Sequence, residues 1–205
     1  TSAAESMSGV SLVLTGEDLK GKLTGNVIKD QPLLCWDEVR LVGDCVAAVV
    51  AVDEDTAQEA VALIDVEYEE LPAIINPEEA HRNDAPILHP DYNNYVGAPP
   101  MDAPGNRYGG LSHERGDVQK GFDEADIVIE NTYKTPLIHP GYLEPHGCLI
   151  YIDDEGIVQV WNNNDTPNGA HQELARVFDL DPDNINFNVN YVGGSFGGKS
   201  SGVMV

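Results

Sequence analysis

The sequence predicts an α+β fold with two structured regions on either side of a long irregular segment. The first region carries a β-branched apolar run that is followed at once by a capped, amphipathic helix. The second region carries a hairpin, a helix and a strand that leads into a glycine-rich loop. With 205 residues, 41% of them apolar, the chain is long enough to bury a core.

The first region has the clearest strand and helix signals. Residues 45–52 form a continuous apolar run, which is typical of a strand covered on both faces. Asp53 and Asp55 are suited to cap the helix that follows this run. The apolar stripe of the helix consists of Ala57, Ala60, Val61 and Ile64. Residues 10–15 and the alternating residues 64–71 predict two further strands.

The middle of the chain is rich in proline and glycine. Seven of the 13 prolines lie between Pro72 and Pro104, where helical and strand periodicity are both lacking. A structureless stretch of this length is uncommon inside one compact domain. We therefore predict a first domain at 1–80, an extended linker at 81–115 and a second domain at 116–205.

The second region is predicted to alternate between strands and helices. Asp117 is suited to cap a short helix, and residues 126–135 are predicted to form a strand. Residues 148–161 predict a hairpin, and Pro167 suits the first turn of a helix. The apolar stripe of that helix consists of Ala170, Leu174, Val177 and Phe178. Residues 185–191 alternate as a half-buried strand.

Composition argues against several classes of partner. The 35 acidic and 11 basic residues give a net charge of −24, which repels nucleic acid and anionic membrane surfaces. Three cysteines, Cys35, Cys45 and Cys148, are too far apart for a disulfide framework or a zinc or iron–sulfur ligand set. No apolar run reaches membrane-spanning length, and we predict a cytoplasmic protein. Both ends look cut, as expected for a piece of a longer subunit.

The glycine-rich loop raises two opposed interpretations. Residues 193–200 read G-G-S-F-G-G-K-S and match the nucleotide-binding P-loop pattern. A nucleotide-hydrolysing site also needs a second strand with an acidic residue that binds Mg²⁺, and only five residues follow Ser200 in this sequence. Four glycines around Phe196 instead let the backbone approach a ligand closely. A plain tight turn with Phe196 in the core is the structural alternative.

Taken together, these stretches resemble the large subunit of the molybdenum hydroxylases, which include xanthine dehydrogenase, aldehyde oxidoreductase and carbon monoxide dehydrogenase. Residues 32–74 look like the α/β hammerhead domain of that family. Residues 116–133, residues 139–161 and the glycine-rich loop look like the first part of its mixed α/β molybdopterin-binding domain. Residues 34–45 look most like the aldehyde oxidoreductase branch.

The resemblance implies an oxidoreductase that hydroxylates an aldehyde or an aromatic heterocycle with water. It implies a molybdopterin-type molybdenum cofactor, either plain or as the cytosine dinucleotide. Electrons would pass to [2Fe–2S] clusters and FAD on partner domains or subunits, in addition to the rest of the large subunit. The pterin holds the metal, so no protein ligand is expected. The catalytic glutamate of the family lies near the end of its subunit, so no catalytic residue is expected in this chain.

The resemblance also assigns site residues. Gly194, Ser195, Phe196 and Gly197 match the cofactor-contacting segment, in which the backbone after Phe196 approaches the oxo ligand of the molybdenum. Ser200 matches a substrate-pocket position that is acidic in purine-oxidising members, which argues against a purine substrate. Asp165 matches a position where many members carry a Gln that hydrogen-bonds the oxo ligand. A carboxylate suits that role poorly, so we expect Asp165 to cap the following helix.

Three other polar residues in this region are predicted to be structural. Glu144 is expected to hold neighbouring backbone, and His139 and His146 are expected to be ordinary polar or packing residues.

Two alternatives to the enzyme stay open for this chain. One is a non-catalytic structural fragment or a degenerate member of the same fold, and the other is a P-loop nucleotide-binding protein.

Overall fold

The structure is a computed structural model that describes residues 1–102 and 105–200. The helices are α1 (Ser2–Glu5), α2 (Glu54–Val61), α3 (Pro77–Ala80), α4 (Val118–Asp123) and α5 (Pro167–Phe178). The strands are β1 (Val10–Thr15), β2 (Leu23–Thr24), β3 (Gln31–Pro32), β4 (Ala47–Ala51), β5 (Cys148–Ile152), β6 (Val158–Asn162) and β7 (Ile185–Asn188). Single 3₁₀ turns form at Tyr92–Asn94 and Pro182–Asn184. This mixture of helices and sheets confirms the predicted α+β class.

An antiparallel pair of strands and one helix organise the first region. β1 pairs with β4, so that Val13 lies opposite Val49. α2 begins where it was predicted, because Asp53 Oδ1 accepts a hydrogen bond from the Thr56 N–H over 2.8 Å. Ala60 is fully buried, whereas the predicted stripe residue Val61 is half exposed and ends the helix. The two strands and the helix of this region are confirmed, with a narrower helical stripe.

Two predicted strands do not form. Residues 64–71 and 126–135 have no regular secondary structure, and their apolar side chains are exposed. Tyr68 is 62% exposed, and Ile127 and Ile129 are each 79% exposed. Alternation supplies the side-chain pattern of a strand, but a strand also needs a neighbour for its backbone hydrogen bonds. Among the described strands none pairs with either segment, and the two strand predictions are wrong for this structure.

A three-stranded sheet and α5 form the core of the second region. β5 and β6 make the predicted hairpin, and α5 crosses from β6 to β7, which run parallel. The core consists of Val160, Leu174, Ala175 and Ile185. Phe178 is 43% exposed at the end of α5, and Tyr191 lies beyond the end of β7 and is 82% exposed. The predicted helix and strand are therefore confirmed. However, Phe178 is not buried with the rest of the helical stripe, and the strand ends before Tyr191.

A buried polar cluster joins α5 to the first region. Glu173 on α5 is 5% exposed and accepts hydrogen bonds from Thr24 Oγ1 at 3.0 Å and from Arg176 Nε at 2.9 Å. Lys29 Nζ lies 3.1 Å from Glu173 Oε2. Burial by itself raises the pKa of Glu173, but hydrogen bonds from Arg176, Lys29 and Thr24 outweigh it and lower the pKa to about 2. The ionised Glu173 carboxylate thus links α5 to the first region through hydrogen bonds and an ion pair.

The proline-rich segment lies against the first region. The Lys29 N–H donates to the Val96 carbonyl over 2.9 Å, and Arg40 Nε donates to the Leu88 carbonyl over 2.7 Å. Asn106 Nδ2 donates to the carbonyls of Ala80 and Pro86. These contacts order a segment whose described residues between α3 and α4 include one 3₁₀ turn and no other helix. The exact domain limits at 80 and 115 stay predictions. No helix in the described ranges is both long and apolar enough to cross a membrane.

Candidate cofactor-binding loop

The glycine-rich loop follows β7 and has an unusual backbone. Gly193, Gly194 and Gly197 have φ angles of 58°, 91° and 87°, in the left-handed region that glycine enters without strain. Phe196 has φ 50°, which costs a residue with a side chain about 1–3 kcal/mol. Its ring is 78% exposed, so the alternative that places Phe196 in the core is wrong. The loop holds an aromatic ring in solvent at a cost in backbone energy.

Two of the loop glycines are required by close packing. A Cβ on Gly193 would lie 2.2 Å from Glu144 Cβ, and a Cβ on Gly198 would lie 2.4 Å from Tyr142 Cε1. The loop therefore rests directly on the segment that contains Tyr142 and Glu144. In contrast, a Cβ on Gly197 would meet no atom within 4 Å. One side of the loop is packed, and the side at Gly197 is open.

The open side of the loop presents backbone donors. Internal bonds tighten the turn, since the Gly198 N–H donates to the Ser195 carbonyl over 2.9 Å and the Lys199 N–H donates to Ser195 Oγ over 3.2 Å. Within the part of the chain that the structure describes, the N–H groups of Phe196 and Gly197 donate to no protein acceptor. Two free donors beside an uncovered glycine form a cradle for the oxygen atoms of a ligand.

Lys199 points into the protein, away from the open side. Its side chain is 1% exposed, and Nζ donates to Glu144 Oε2 over 3.1 Å and to the Val192 carbonyl. The same ammonium lies 5.0 Å from the centre of the Tyr142 ring. The lysine of a P-loop must reach the terminal phosphates of a nucleotide. Because Lys199 is buried and paired, the P-loop interpretation is wrong.

Asp165 and Ser200 lie together at the edge of the loop. Ser200 Oγ donates to Asp165 Oδ2 over 2.9 Å, and the Asp165 N–H donates to the Lys199 carbonyl over 3.2 Å. The expected cap by Asp165 is wrong, because the N-cap residue of α5 is Thr166. Asn164 Oδ1 accepts from the Thr166 N–H over 2.7 Å and orders this turn. The Asp165 carboxylate is thus exposed and held by Ser200.

The residues below the loop are mostly packing groups. Tyr142 OH and His146 Nε2 are 2.5 Å apart, and His139 Nδ1 accepts from the Gly141 N–H over 3.0 Å. The Glu144 N–H donates to the Gly193 carbonyl over 3.3 Å, which is the backbone-holding role expected of Glu144. Sequence reasoning missed the partnership of Glu144 with Lys199. No local pattern signals a contact across 55 residues.

These features describe an α+β protein with an open glycine-rich loop, and comparison with known proteins gives its family. Residues 100–205 match the family described as the molybdopterin cofactor-binding domain. Residues 1–72 match the a/b hammerhead domain of aldehyde oxidase and xanthine dehydrogenase. The chain therefore belongs to the aldehyde oxidase and xanthine dehydrogenase family, of which it contains a hammerhead domain and a molybdopterin cofactor-binding domain. The family predicted from the sequence is confirmed.

Individual relatives are similar over almost the whole chain. A probable xanthine dehydrogenase subunit of Bacillus subtilis is 38% identical over 97% of this chain and 25% of its own length. The nicotinate dehydrogenase large molybdopterin subunit of Eubacterium barkeri is 35% identical over 97% of this chain and 44% of its own length. The chain thus spans a quarter to just under half of these relatives.

A solved structure supports the same assignment. The aldehyde oxidoreductase of Desulfovibrio desulfuricans matches 95% of this chain and 22% of its own length, with a TM-score of 0.78 and 26% identity. The two relatives above bear the names xanthine and nicotinate dehydrogenase, whereas this structure is an aldehyde oxidoreductase. The branch within the family stays a prediction.

Proposed function

We propose that the chain is the molybdenum-cofactor-binding part of an oxidoreductase that hydroxylates an aldehyde or an aromatic heterocycle with water. The open side of the glycine-rich loop is the observation that carries this proposal. Its free N–H groups at Phe196 and Gly197 suit the oxygen-rich groups of a molybdopterin cofactor. The cofactor, when bound, supplies the two-electron redox chemistry.

The cofactor-binding residues in this proposal are Gly194, Ser195, Phe196 and Gly197. Ser195 accepts both bonds that tighten the turn, through its carbonyl and its hydroxyl. Phe196 acts as a rigid wall that excludes water from one side of the cofactor, because its ring projects from the loop. Gly197 leaves room for the close approach of the cofactor to the backbone.

The substrate pocket in this proposal begins at Asp165 and Ser200. Their hydrogen-bonded side chains lie next to Lys199, between the end of the loop and the start of α5. A serine at this place provides a small polar group in place of an acid, which supports a substrate other than a purine. The exposed Asp165 carboxylate accepts a hydrogen bond from the serine hydroxyl, and in this proposal that bond directs the carboxylate away from the cofactor.

The proposed enzyme also needs components beyond this chain. The electrons would pass to [2Fe–2S] clusters and FAD carried by partner domains or subunits, together with the rest of the large subunit. The cofactor would be molybdopterin itself or its cytosine dinucleotide. We place the protein in the cytoplasm, and three free thiols, at Cys35, Cys45 and Cys148, support a reducing compartment.

The first experiment is metal and pterin analysis of the native complex that contains the full-length subunit. We expect molybdenum and pterin near one per subunit, together with iron. Nucleotide analysis of the released pterin identifies the cofactor form. A complex without molybdenum and without pterin would contradict the enzyme and favour a structural member of the fold.

A matched pair of glycine variants tests the loop itself. Gly197 and Gly156 have φ angles of 87° and 83°, and a Cβ on either would meet no protein atom within 4 Å. Gly197→Ala and Gly156→Ala should therefore each cost about 1–2 kcal/mol of stability from backbone strain. Only Gly197→Ala adds a methyl group to the cofactor cradle. We expect a loss of molybdenum in that variant alone, and equal losses in both would refute the assigned loop.

A further inference from the structure

Glu144 contacts both ends of the cofactor-binding loop. Its backbone N–H donates to the carbonyl of Gly193, where the loop begins. Its side-chain Oε2 accepts from Lys199 Nζ, where the loop ends. Tyr142 lies close to Gly194 and Gly198 as well, and Glu144 adds hydrogen bonds to both ends of the loop. Glu144 is therefore placed to fix the distance across the loop.

Lys199 closes the loop on itself. Its ammonium donates to the carbonyl of Val192, which precedes the first loop glycine, and this bond joins the end of the loop to its start. Burial of an ammonium is unfavourable unless charge and hydrogen-bond partners compensate it. Glu144, the Val192 carbonyl and the Tyr142 ring are the partners that do so. All three are in place in this conformation of the loop.

The packing on the lower side of the loop favours the same loop conformation. Gly193 and Gly198 have no side chains, and the space is filled by Glu144 and Tyr142. The lysine reaches Glu144 and the Tyr142 ring because the loop lies this close to them. A buried ionic group is well suited to select one conformation among several that pack equally well.

We propose that Lys199 and Glu144 are positioning residues that hold the cofactor-binding loop in the conformation that receives the molybdenum cofactor. This inference rests on the proposed function. The ion pair acts from below the loop, on its two ends, and leaves the open side at Phe196 and Gly197 to the cofactor. The lysine that resembles a phosphate-binding group in the sequence thus acts through the backbone and does not touch the ligand.

The test uses three variants of the full-length subunit in its native complex. Lys199→Met and Glu144→Gln each leave one partner of the pair without its counter-charge, and the double variant removes both charges. The Lys199 side chain is 1% exposed and the Glu144 side chain is 41% exposed. Replacement of both charges of an ion pair with a buried member is often neutral for stability, so the double variant separates folding from positioning. The exposed pair of Lys20 and Glu17, 3.0 Å apart, supplies the control variants Lys20→Met and Glu17→Gln.

We expect the double variant to unfold at a temperature near that of the wild type and to retain about tenfold less molybdenum per subunit. The molybdenum that it retains should give an altered molybdenum(V) EPR line shape in the reduced complex. The Lys20 and Glu17 control variants should match the wild type in metal content and in spectrum. If Lys199→Met alone fails to assemble, the double variant and Glu144→Gln still decide the question.

Two outcomes overturn the inference, and they are distinguishable. A wild-type complex that holds molybdenum, with an unchanged metal content and EPR line shape in the double variant, overturns the role of the ion pair alone. A wild-type complex that lacks molybdenum and pterin overturns the proposed function, and this inference with it.

Discussion

Ser200 and Asp165 are 35 residues apart in the sequence and are joined by a 2.9 Å hydrogen bond from Ser200 Oγ to Asp165 Oδ2. The bond joins the end of the glycine-rich loop to the residue before the N-cap of α5. It gives the exposed carboxylate a fixed direction next to the proposed substrate pocket. The pair is therefore the first place where a change should alter substrate binding without a change in cofactor content.

Ser200→Ala should raise the KM for an uncharged substrate about fivefold, which corresponds to about 1 kcal/mol. Without the hydroxyl donor, Asp165 binds water more strongly, and the substrate has to displace that water. Steady-state kinetics with a panel of aldehydes and heterocycles, together with molybdenum analysis, measures the effect. Ser6→Ala, which removes a hydroxyl bonded to the Ser2 carbonyl, should change neither quantity. An unchanged KM across the panel would remove this pair from the pocket.

Glu173→Gln should lower the free energy of unfolding by about 3 kcal/mol. The substitution leaves Lys29 and Arg176 without their shared counter-charge at the contact between α5 and the first region. Urea unfolding of the full-length subunit measures the loss. Glu17→Gln breaks an exposed pair with Lys20 and should cost no more than about 1 kcal/mol. Equal effects of the two substitutions would contradict a stabilising role of the buried Glu173 ion pairs.

The Glu173 carboxylate should also make stability depend on pH in the acid range. Its pKa is lowered from 4.5 to about 2, so the unfolded chain binds the proton more readily than the folded chain. The stabilisation is complete above pH 4.5 and disappears as the pH falls towards 2. It amounts to about 3 kcal/mol. Unfolding curves of the wild type and of Glu173→Gln should therefore converge as the pH falls, and a constant difference between them would contradict this prediction.

Phe196→Asn should stabilise the cofactor-free protein and weaken the bound state. Asparagine tolerates a positive φ better than phenylalanine does, and the exposed ring loses little burial, so we expect a gain of up to about 1 kcal/mol. The variant also loses the aromatic wall, which should reduce molybdenum retention. The control Phe122→Asn removes another exposed ring from helix α4, and it should give no gain. Thermal unfolding and metal analysis check both effects.

Local patterns predicted the elements whose partners are close in the chain. The cap by Asp53, the hairpin of β5 and β6 and the start of α5 at Pro167 depend on residues within a few positions of one another. The strands expected at 64–71 and 126–135 fail because a strand depends on a neighbour, and periodicity carries no information about that neighbour.

The candidate site was predicted in part. The glycine spacing predicted a loop whose backbone a ligand can approach, which stays a prediction, and the structure adds the uncovered Gly197 and the exposed ring and free N–H donor of Phe196. The direction of Lys199 could not be predicted, because it depends on Glu144 and on the absence of a Cβ at Gly193. The cap expected at Asp165 does not form, because the N-cap position of α5 is Thr166 and the Asp165 carboxylate accepts from Ser200 Oγ.

The outermost strand of the second sheet has a consequence for handling the protein. All five residues of β5 are exposed, and its outer edge has no neighbour within the described residues. A bare edge with Leu149, Ile150 and Ile152 is a template for self-association between molecules. The net charge of −24 opposes that encounter by mutual repulsion. Because salt screens this repulsion, this chain expressed by itself should remain dispersed at low ionic strength and aggregate as salt is added.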